Sequence, residues 1–214
     1  MDKLPLISSP FSEAWPTWLM FALLVCIVMA EALQPETIRT SFRTTFSRMQ
    51  RMYGDSAVNF WGLVALTLFR LCVVALTLYL FCYTQGEFSI LTYGIIILVV
   101  IAFVAVKSLF AWIITYVFDL KPNTNLYMPQ YSNLWTAACV VLYPILLLMI
   151  NFGEQTIMKW IIVGIAAMFC AGVIVKLLQH YFNGISSLGY ILLYTLTLEI
   201  IPAVAMVWTV KQLV

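Results

Sequence analysis

Six apolar stretches recur along the chain, and each is long enough to cross a lipid bilayer as a helix. A helix rises about 1.5 Å per residue, so about 20 residues are needed to cross roughly 30 Å of hydrocarbon. The stretches are approximately residues 15–33, 59–83, 89–118, 131–151, 157–178 and 188–209. They leave no segment long enough for a separate soluble domain. The sequence therefore predicts an all-α, polytopic membrane helix bundle that forms a single domain over residues 1–214.

The composition agrees with this prediction and limits the classes of partner. Hydrophobic residues make up 64% of the chain and charged residues only 9%, whereas a soluble domain is roughly half apolar and about one quarter charged. The formal net charge of +2 is too small to indicate a nucleic-acid partner. We therefore expect the lipid bilayer to be the main partner, with further protein partners inside the membrane and no nucleic acid.

The residues that usually hold metals and cofactors do not form a recognisable site. The five cysteines lie in apolar stretches without the CxxC or Cys/His spacing of a metal site. His180 is the single histidine and cannot supply a pair of haem ligands. Walker, HExxH and GxSxG motifs are missing from the sequence. The sequence thus predicts no metal, no cofactor and no catalytic residues, and an enzyme acting on lipid is a weaker alternative.

The segment between the first two apolar stretches predicts an amphipathic helix over about residues 37–53. Its apolar stripe follows helical spacing and consists of Ile38, Phe42, Phe46, Met49, Met52 and Tyr53. The basic residues outside that stripe are Arg39, Arg43, Arg48 and Arg51. Such a helix is expected to lie in the membrane interface, with its apolar side in the acyl boundary and its arginines towards anionic headgroups. Two roles fit it: setting the topology of the chain, or docking a partner.

The same arginines predict the orientation of the chain in the membrane. Loops rich in arginine and lysine stay on the cytoplasmic side. The first loop carries the four arginines, and Lys121 lies in the loop between the third and fourth stretches. With six crossings, both termini are then expected to face outward.

Three ionisable residues fall well inside the apolar stretches: Arg70, Lys107 and Glu199. Such residues need a partner, a wet cavity or a route to the interface. Arg70 and Glu199 have similar predicted depths, so we expect Glu199 to pair with Arg70, or with Lys107 as the alternative. The cluster fits a salt bridge that fixes helix packing, and it also fits an ion, proton or substrate site. Glu31 and Lys176 lie close enough to helix ends to reach the interface.

Other residues predict how the helices pack. The second stretch has a polar side that is expected to face the bundle interior, formed by Asn59, Thr67, Arg70 and Thr77. Gly164, with small neighbours along its helix, predicts close helix packing. Pro202 removes an amide and leaves a carbonyl acceptor near Glu199.

The end of the chain resembles a known family. The nonapeptide YTLTLEIIP over residues 194–202 is similar to the terminal motif of the family of domains of unknown function numbered 4271. Two further features add to the resemblance: Lys107 in a long apolar helix, and Asn133 followed by Pro144. Asn133 and Pro144 are expected to be packing or helix-breaking positions. Members of that family are membrane proteins of Bacteroidota. The resemblance implies a bacterial inner-membrane location and no established activity.

The function indicated by these features is a non-catalytic integral membrane subunit or accessory factor of a bacterial cell-envelope assembly, serving export or biogenesis. It depends on the lack of catalytic motifs together with a basic amphipathic helix that offers a cytoplasmic docking surface. The alternative is a small transporter or proton-coupled membrane protein that uses Arg70, Lys107 and Glu199.

Overall fold

The computed structural model describes residues 15–46, 59–82, 89–117, 121–152, 156–181 and 201–213, and the regular structure within these ranges is helical. The helices are α1 (Trp15–Leu33), α2 (Thr37–Phe46), α3 (Phe60–Cys82), α4 (Ile90–Val117), α5 (Lys121–Phe152), α6 (Thr156–Tyr181) and α7 (Ile201–Leu213). Five of these, namely α1 and α3 to α6, are long and apolar enough to cross a membrane. The all-α membrane bundle is therefore confirmed. The predicted stretch 188–209 lies within the described residues only from Ile201 onward.

Helix α3 is the centre of the bundle. It packs against α1, α4, α5 and α7. Phe69, Val73, Leu76 and Tyr79 recur at helical spacing and are fully buried. Half of the apolar window is buried in α3 and in α5, compared with 17–22% in α1, α4 and α6. Helices α1, α4 and α6 thus leave most of their apolar surface for lipid.

Tyrosine hydroxyls fasten neighbouring helices to each other. The Tyr143 hydroxyl on α5 donates to the Met20 carbonyl on α1 at 3.0 Å. The Tyr93 hydroxyl on α4 donates to the Cys72 carbonyl on α3 at 3.2 Å. Hydrogen bonds between helices fix their relative positions where burial of apolar surface does not drive association, because lipid tails are as apolar as the side chains.

Exposed tryptophans form two groups, one towards each end of the bundle, and we call each group a girdle. Trp18 near the start of α1, Trp160 near the start of α6 and Trp208 on α7 form one girdle. Trp61 at the start of α3 and Trp112 near the end of α4 form the other, which lies at the same end of the bundle as α2. Exposed tryptophans are enriched where hydrocarbon meets the headgroups. We call the end that carries α2 the α2 side.

Helix α5 begins ten residues earlier than the sequence predicted, at Lys121 instead of residue 131. Asn123 and Asn125, which fall in the predicted loop between the third and fourth stretches, lie inside this helix. Pro144 was expected to pack or break the helix, yet α5 continues through both Pro129 and Pro144. The first five residues of this helix, KPNTN, are polar in sequence or proline, so hydropathy alone did not indicate them as helical.

Two packing predictions are wrong for the described helices. Gly164 is exposed, and a Cβ added there meets nothing within 4 Å. Close packing occurs instead at Gly172, where an added Cβ would lie 3.1 Å from both methyl carbons of Leu134. Thr67 is exposed and donates its hydroxyl to the Leu63 carbonyl of its own helix at 2.8 Å. A threonine that returns its hydroxyl to its own backbone needs no interior partner, so it can face lipid.

Candidate functional site

The carboxylate of Glu31, in the last turn of α1, caps the start of α2. Its two oxygens accept hydrogen bonds from the backbone amides of Glu36 at 2.8 Å and Ile38 at 3.0 Å. Amides in the first turn of a helix have no partner within the helix, and the positive end of the helix dipole favours a carboxylate there. Glu36 adopts a positive φ of 68° to make this turn. Glu31, expected only to reach the interface, therefore positions α2.

A second set of contacts fixes the same joint to α3. The Gln34 side-chain amide donates to the Asn59 carbonyl at 3.0 Å. The Thr37 hydroxyl donates to the Gln34 carbonyl at 2.6 Å. Gly62 permits this approach, since a Cβ there would lie 3.0 Å from Cγ of Gln34. The start of α2 is thus held by both flanking membrane helices.

Helix α2 packs chiefly against α5 and presents its arginines outward. Ser41 is fully buried and Phe42 is half-buried, whereas Arg39 and Arg43 are exposed. The predicted division into an apolar and a basic side is present over residues 37–43. The apolar side was expected to lie in the acyl boundary, but α2 uses helix α5 as its main packing surface. The side of α2 that carries the fully buried Ser41 is therefore covered by protein.

The predicted amphipathic helix extends beyond the residues that the structure describes. Phe46 is the last residue of α2. Arg48 and Arg51 lie outside the described residues, as does the rest of the predicted segment to residue 53. Their interfacial or docking role stays a prediction.

The Glu31→Ala variant is expected to loosen α2 without unfolding the bundle. Loss of a helix cap costs about 0.5–2 kcal/mol, so the amides of α2 should exchange with deuterium up to about 30-fold faster. Hydrogen exchange followed by mass spectrometry measures this directly. Glu36→Gln is the matched control, because the Glu36 side chain makes an exposed ion pair with Arg39 at 3.6 Å, and such pairs contribute little. Unchanged exchange of α2 in Glu31→Ala would contradict the capping role.

Two interior cations extend to adjacent residues of α5. The Arg70 guanidinium on α3 donates from Nη1 to the Ser132 hydroxyl at 2.8 Å. The Lys107 ammonium on α4 donates to the Tyr131 hydroxyl and lies 4.4 Å from the centroid of the same ring. A cation above an aromatic face gains electrostatic energy, and more so when water is excluded. Tyr131 and Ser132 thus bring side chains from two other helices to one turn of α5.

These contacts lie in the half of the bundle nearer the α2 side. Helix α5 begins at Lys121, so Ser132 lies about 16 Å along it. The Cα of Arg70 lies ten residues into α3, which is about 15 Å from its start. Its side chain leans towards the start of α3, because Cα–Cβ bonds tilt towards the N-terminus of a helix. The guanidinium therefore lies shallower in the membrane than its backbone.

Lys176 on α6 is also an interior cation. The sequence predicted that it reaches the interface, but the residue is only 4% exposed. It lies on the side of α6 that also carries Val173 and Leu177, both fully buried. Helix α6 packs along α5, which accounts for this burial. We call Arg70, Lys107 and Lys176, with the Tyr131 and Ser132 hydroxyls, the cation layer.

Polar groups of α5 continue one turn beyond the cation layer. Asn133 is buried. Thr136 is fully buried and donates its hydroxyl to the Ser132 carbonyl at 3.0 Å. The Tyr131 ring also packs edge-on against Phe169 of α6, with the ring centroids 6.0 Å apart. A tyrosine, a serine, an asparagine and a threonine within six residues of an apolar stretch were the signal that could have identified this segment.

The acidic member of the predicted charge cluster lies outside the described residues. Glu199 comes two residues before the first residue of α7, and its pairing with Arg70 or Lys107 stays a prediction. Pro202 is half-buried in the first turn of α7 as described. Within the described ranges, no three His, Cys, Asp or Glu side chains come together in a way that could hold a metal ion.

Comparison with known families shows which family the chain belongs to. The family described as a domain of unknown function, DUF4271, matches residues 17–209, which is most of the chain. The chain belongs to the DUF4271 family. No curated protein and no solved structure gives a significant match. In this DUF4271 protein the match includes both the α1–α2 joint and the cation layer.

Proposed function

We propose that this chain is a non-catalytic integral membrane subunit or accessory factor of a bacterial cell-envelope assembly, serving export or biogenesis, and that α2 is its docking element. The observation that carries the proposal is the fixed position of α2. Glu31 caps its start, α5 supports its inner side, and Arg39 and Arg43 point outward.

A helix held in this way suits protein recognition. Binding costs less when the binding element is already ordered, since its conformational entropy is lost during folding and not on association. Arginine is among the residues that most often dominate protein interfaces. Arg39 and Arg43 are one turn apart, so both can contact the same surface. We therefore expect a membrane-associated protein partner with an acidic surface, and no nucleic acid.

The proposed location is the bacterial inner membrane, with α2 in the cytoplasm and both termini in the periplasm. It is supported by the exposed arginines on the α2 side, because basic loops stay in the cytoplasm. Lys211 at the end of α7 is exposed near the girdle that contains Trp208. This orientation places the outward side of α2 where cytoplasmic or inner-membrane partners can reach it.

Replacing Arg39 and Arg43 together by glutamate is expected to reduce partner recovery at least about tenfold, since reversing two contact charges turns attraction into repulsion. The measurement is affinity purification from native membranes followed by quantitative mass spectrometry. Lys211→Glu is the matched control, because it reverses an exposed charge at the opposite end of the bundle. Equal partner recovery from the double variant and the wild type would contradict the docking role of α2.

A second candidate function is favoured by the cation layer. Arg70 and Lys107 approach one turn of α5 from different helices, as side chains do around the substrate of a small transporter. Flux in proteoliposomes separates the two functions. A subunit of an assembly leaves purified liposomes sealed, whereas a transporter carries solute or protons across them without a partner.

A further inference from the structure

We propose that Glu36 competes with the docking partner for Arg39, so that a partner needs clustered carboxylates to dock on α2. The inference rests on the proposed docking role of α2 and adds a residue that determines its selectivity. Glu36 directly precedes α2, and Arg39 lies in its first turn. The two side chains form an ion pair, with 3.6 Å between Oε1 of Glu36 and Nη1 of Arg39.

The backbone conformation of Glu36 indicates that its side chain has a role. Its φ of 68° lies in the left-handed region, which glycine adopts freely and which is costly for a side chain such as glutamate. Strained residues of this kind cluster at binding and switch sites. A glycine would make the same turn with less strain, so the glutamate is expected to contribute through its carboxylate.

Helix capping and stability do not account for that carboxylate. The capping role belongs to Glu31, whose oxygens accept the amides of Glu36 and Ile38. In the ion pair, the Glu36 side chain is 70% exposed and the Arg39 side chain is 78% exposed. An ion pair so accessible to water contributes little to folding stability. The Glu36 carboxylate therefore acts mainly on the availability of Arg39.

The geometry of the pair determines what can displace Glu36. The separation of 3.6 Å is longer than the roughly 2.7–2.9 Å of a charge-assisted hydrogen bond. A guanidinium binds a carboxylate best through two parallel N–H···O bonds. A partner carboxylate that forms both bonds can replace Glu36. Further carboxylates must then offset the repulsion from the displaced Glu36 charge, so a surface with one isolated negative charge binds poorly.

Arg43 provides an internal comparison. It lies one turn after Arg39 on the exposed side of α2. Its Cα is about 10 Å from that of Glu36 along the helix axis, a distance at which salt largely screens exposed charges. Glu36 is therefore expected to compete for Arg39 and to have little direct effect on Arg43.

The test measures binding of a fluorescent oligoglutamate peptide to the full chain in an uncharged detergent, at low and at high salt. Glu36→Gln is expected to bind the peptide about two- to fivefold more tightly at low salt, the factor that corresponds to a surface ion pair. High salt should remove this difference, because it screens exposed charges. Weaker binding would mean that Glu36 positions Arg39 for the partner. Weaker or unchanged binding at low salt overturns the proposal.

A double-mutant cycle separates competition for Arg39 from a general effect of charge. In an Arg39→Gln background, Glu36→Gln should no longer improve binding, whereas in an Arg43→Gln background the improvement should remain. An equal improvement in both backgrounds overturns the proposal. Glu36→Asn is the second variant, because it removes the same charge and asparagine tolerates a positive φ better. It keeps the test decisive if hydrogen exchange shows that Glu36→Gln loosens α2.

The docking role and the competition can fail separately. Partner recovery from native membranes with the Arg39→Glu and Arg43→Glu double variant tests the docking role. The peptide cycle uses the purified chain and tests the competition. Lost partner recovery together with a failed cycle contradicts the competition alone. Full partner recovery together with the expected cycle contradicts the docking role alone.

Discussion

Leucine at Glu199 alone, or at its basic partner alone, is expected to cost about 3–5 kcal/mol of folding free energy, whereas leucine at both positions is expected to cost much less. The physical reason is that removing one member of a buried pair leaves an uncompensated charge in a medium that solvates it poorly. Removing both members removes the desolvation cost along with the attraction. We propose Arg70 as the first partner and Lys107 as the alternative.

Resistance to thermal unfolding in detergent measures these effects in five variants: Glu199→Leu, Arg70→Leu, Lys107→Leu and the two doubles that combine Glu199→Leu with each basic change. Only the double that contains the true partner should recover stability, so the other double is its control. Strictly additive losses in both doubles would rule out a pair. If Glu199 also serves transport, the recovering double restores stability without restoring activity.

Leucine at Gly172 is expected to destabilise the bundle by about 1–3 kcal/mol, the usual cost of overfilling a packed interior. A Cβ added at this position would lie 3.1 Å from both methyl carbons of Leu134. The additional carbons of a leucine side chain need still more space. The expected result is a lower Tm in detergent and weaker protection of α6 amides from hydrogen exchange.

Gly164→Leu is the matched control on the same helix. Gly164 is exposed and has open space around an added Cβ, so leucine there should leave the Tm unchanged or raise it slightly through better helix propensity. An equal loss of stability in the two variants would contradict the assignment of Gly172 to the contact between α5 and α6.

The two glycines also show what the sequence can and cannot reveal. Both lie in one apolar helix with small neighbours, and spacing alone favoured Gly164 as the packing position. In a soluble protein polar residues mark the outer side of a helix, but lipid-facing residues are as apolar as buried ones. The sequence therefore contained little information about which side of α6 faces α5.

Helix boundaries were predictable where hydropathy changes abruptly. Helix α1 runs from Trp15 to Leu33 as expected, because Gln34 and Pro35 follow its apolar run directly. Helix α5 was predicted ten residues too short, because it begins with the sequence KPNTN, which is not apolar. Hydropathy reports the part of a helix that matches the bilayer, not the whole helix.

The predicted site was incomplete for a related reason. The positions of Arg70 and Lys107 within their apolar stretches predicted that both lie in the interior. Their positive charge favoured an acidic partner, Glu199. The contacts described here are with uncharged side chains, Ser132 and Tyr131. A hydroxyl in an apolar stretch gives a weak signal by itself. Its meaning depends on which helix lies opposite, and periodicity within one helix does not contain that information.

The orientation of α2 is the central claim of the account, and labelling with a membrane-impermeant maleimide tests it most directly. Arg43→Cys and Lys211→Cys place exposed thiols at opposite ends of the bundle, and the unmodified chain measures the background from its five cysteines, each of which is buried or half-buried. We expect the reagent to label Lys211→Cys but not Arg43→Cys in right-side-out spheroplasts, and Arg43→Cys but not Lys211→Cys in inside-out vesicles. Labelling of Arg43→Cys in sealed spheroplasts would contradict this orientation.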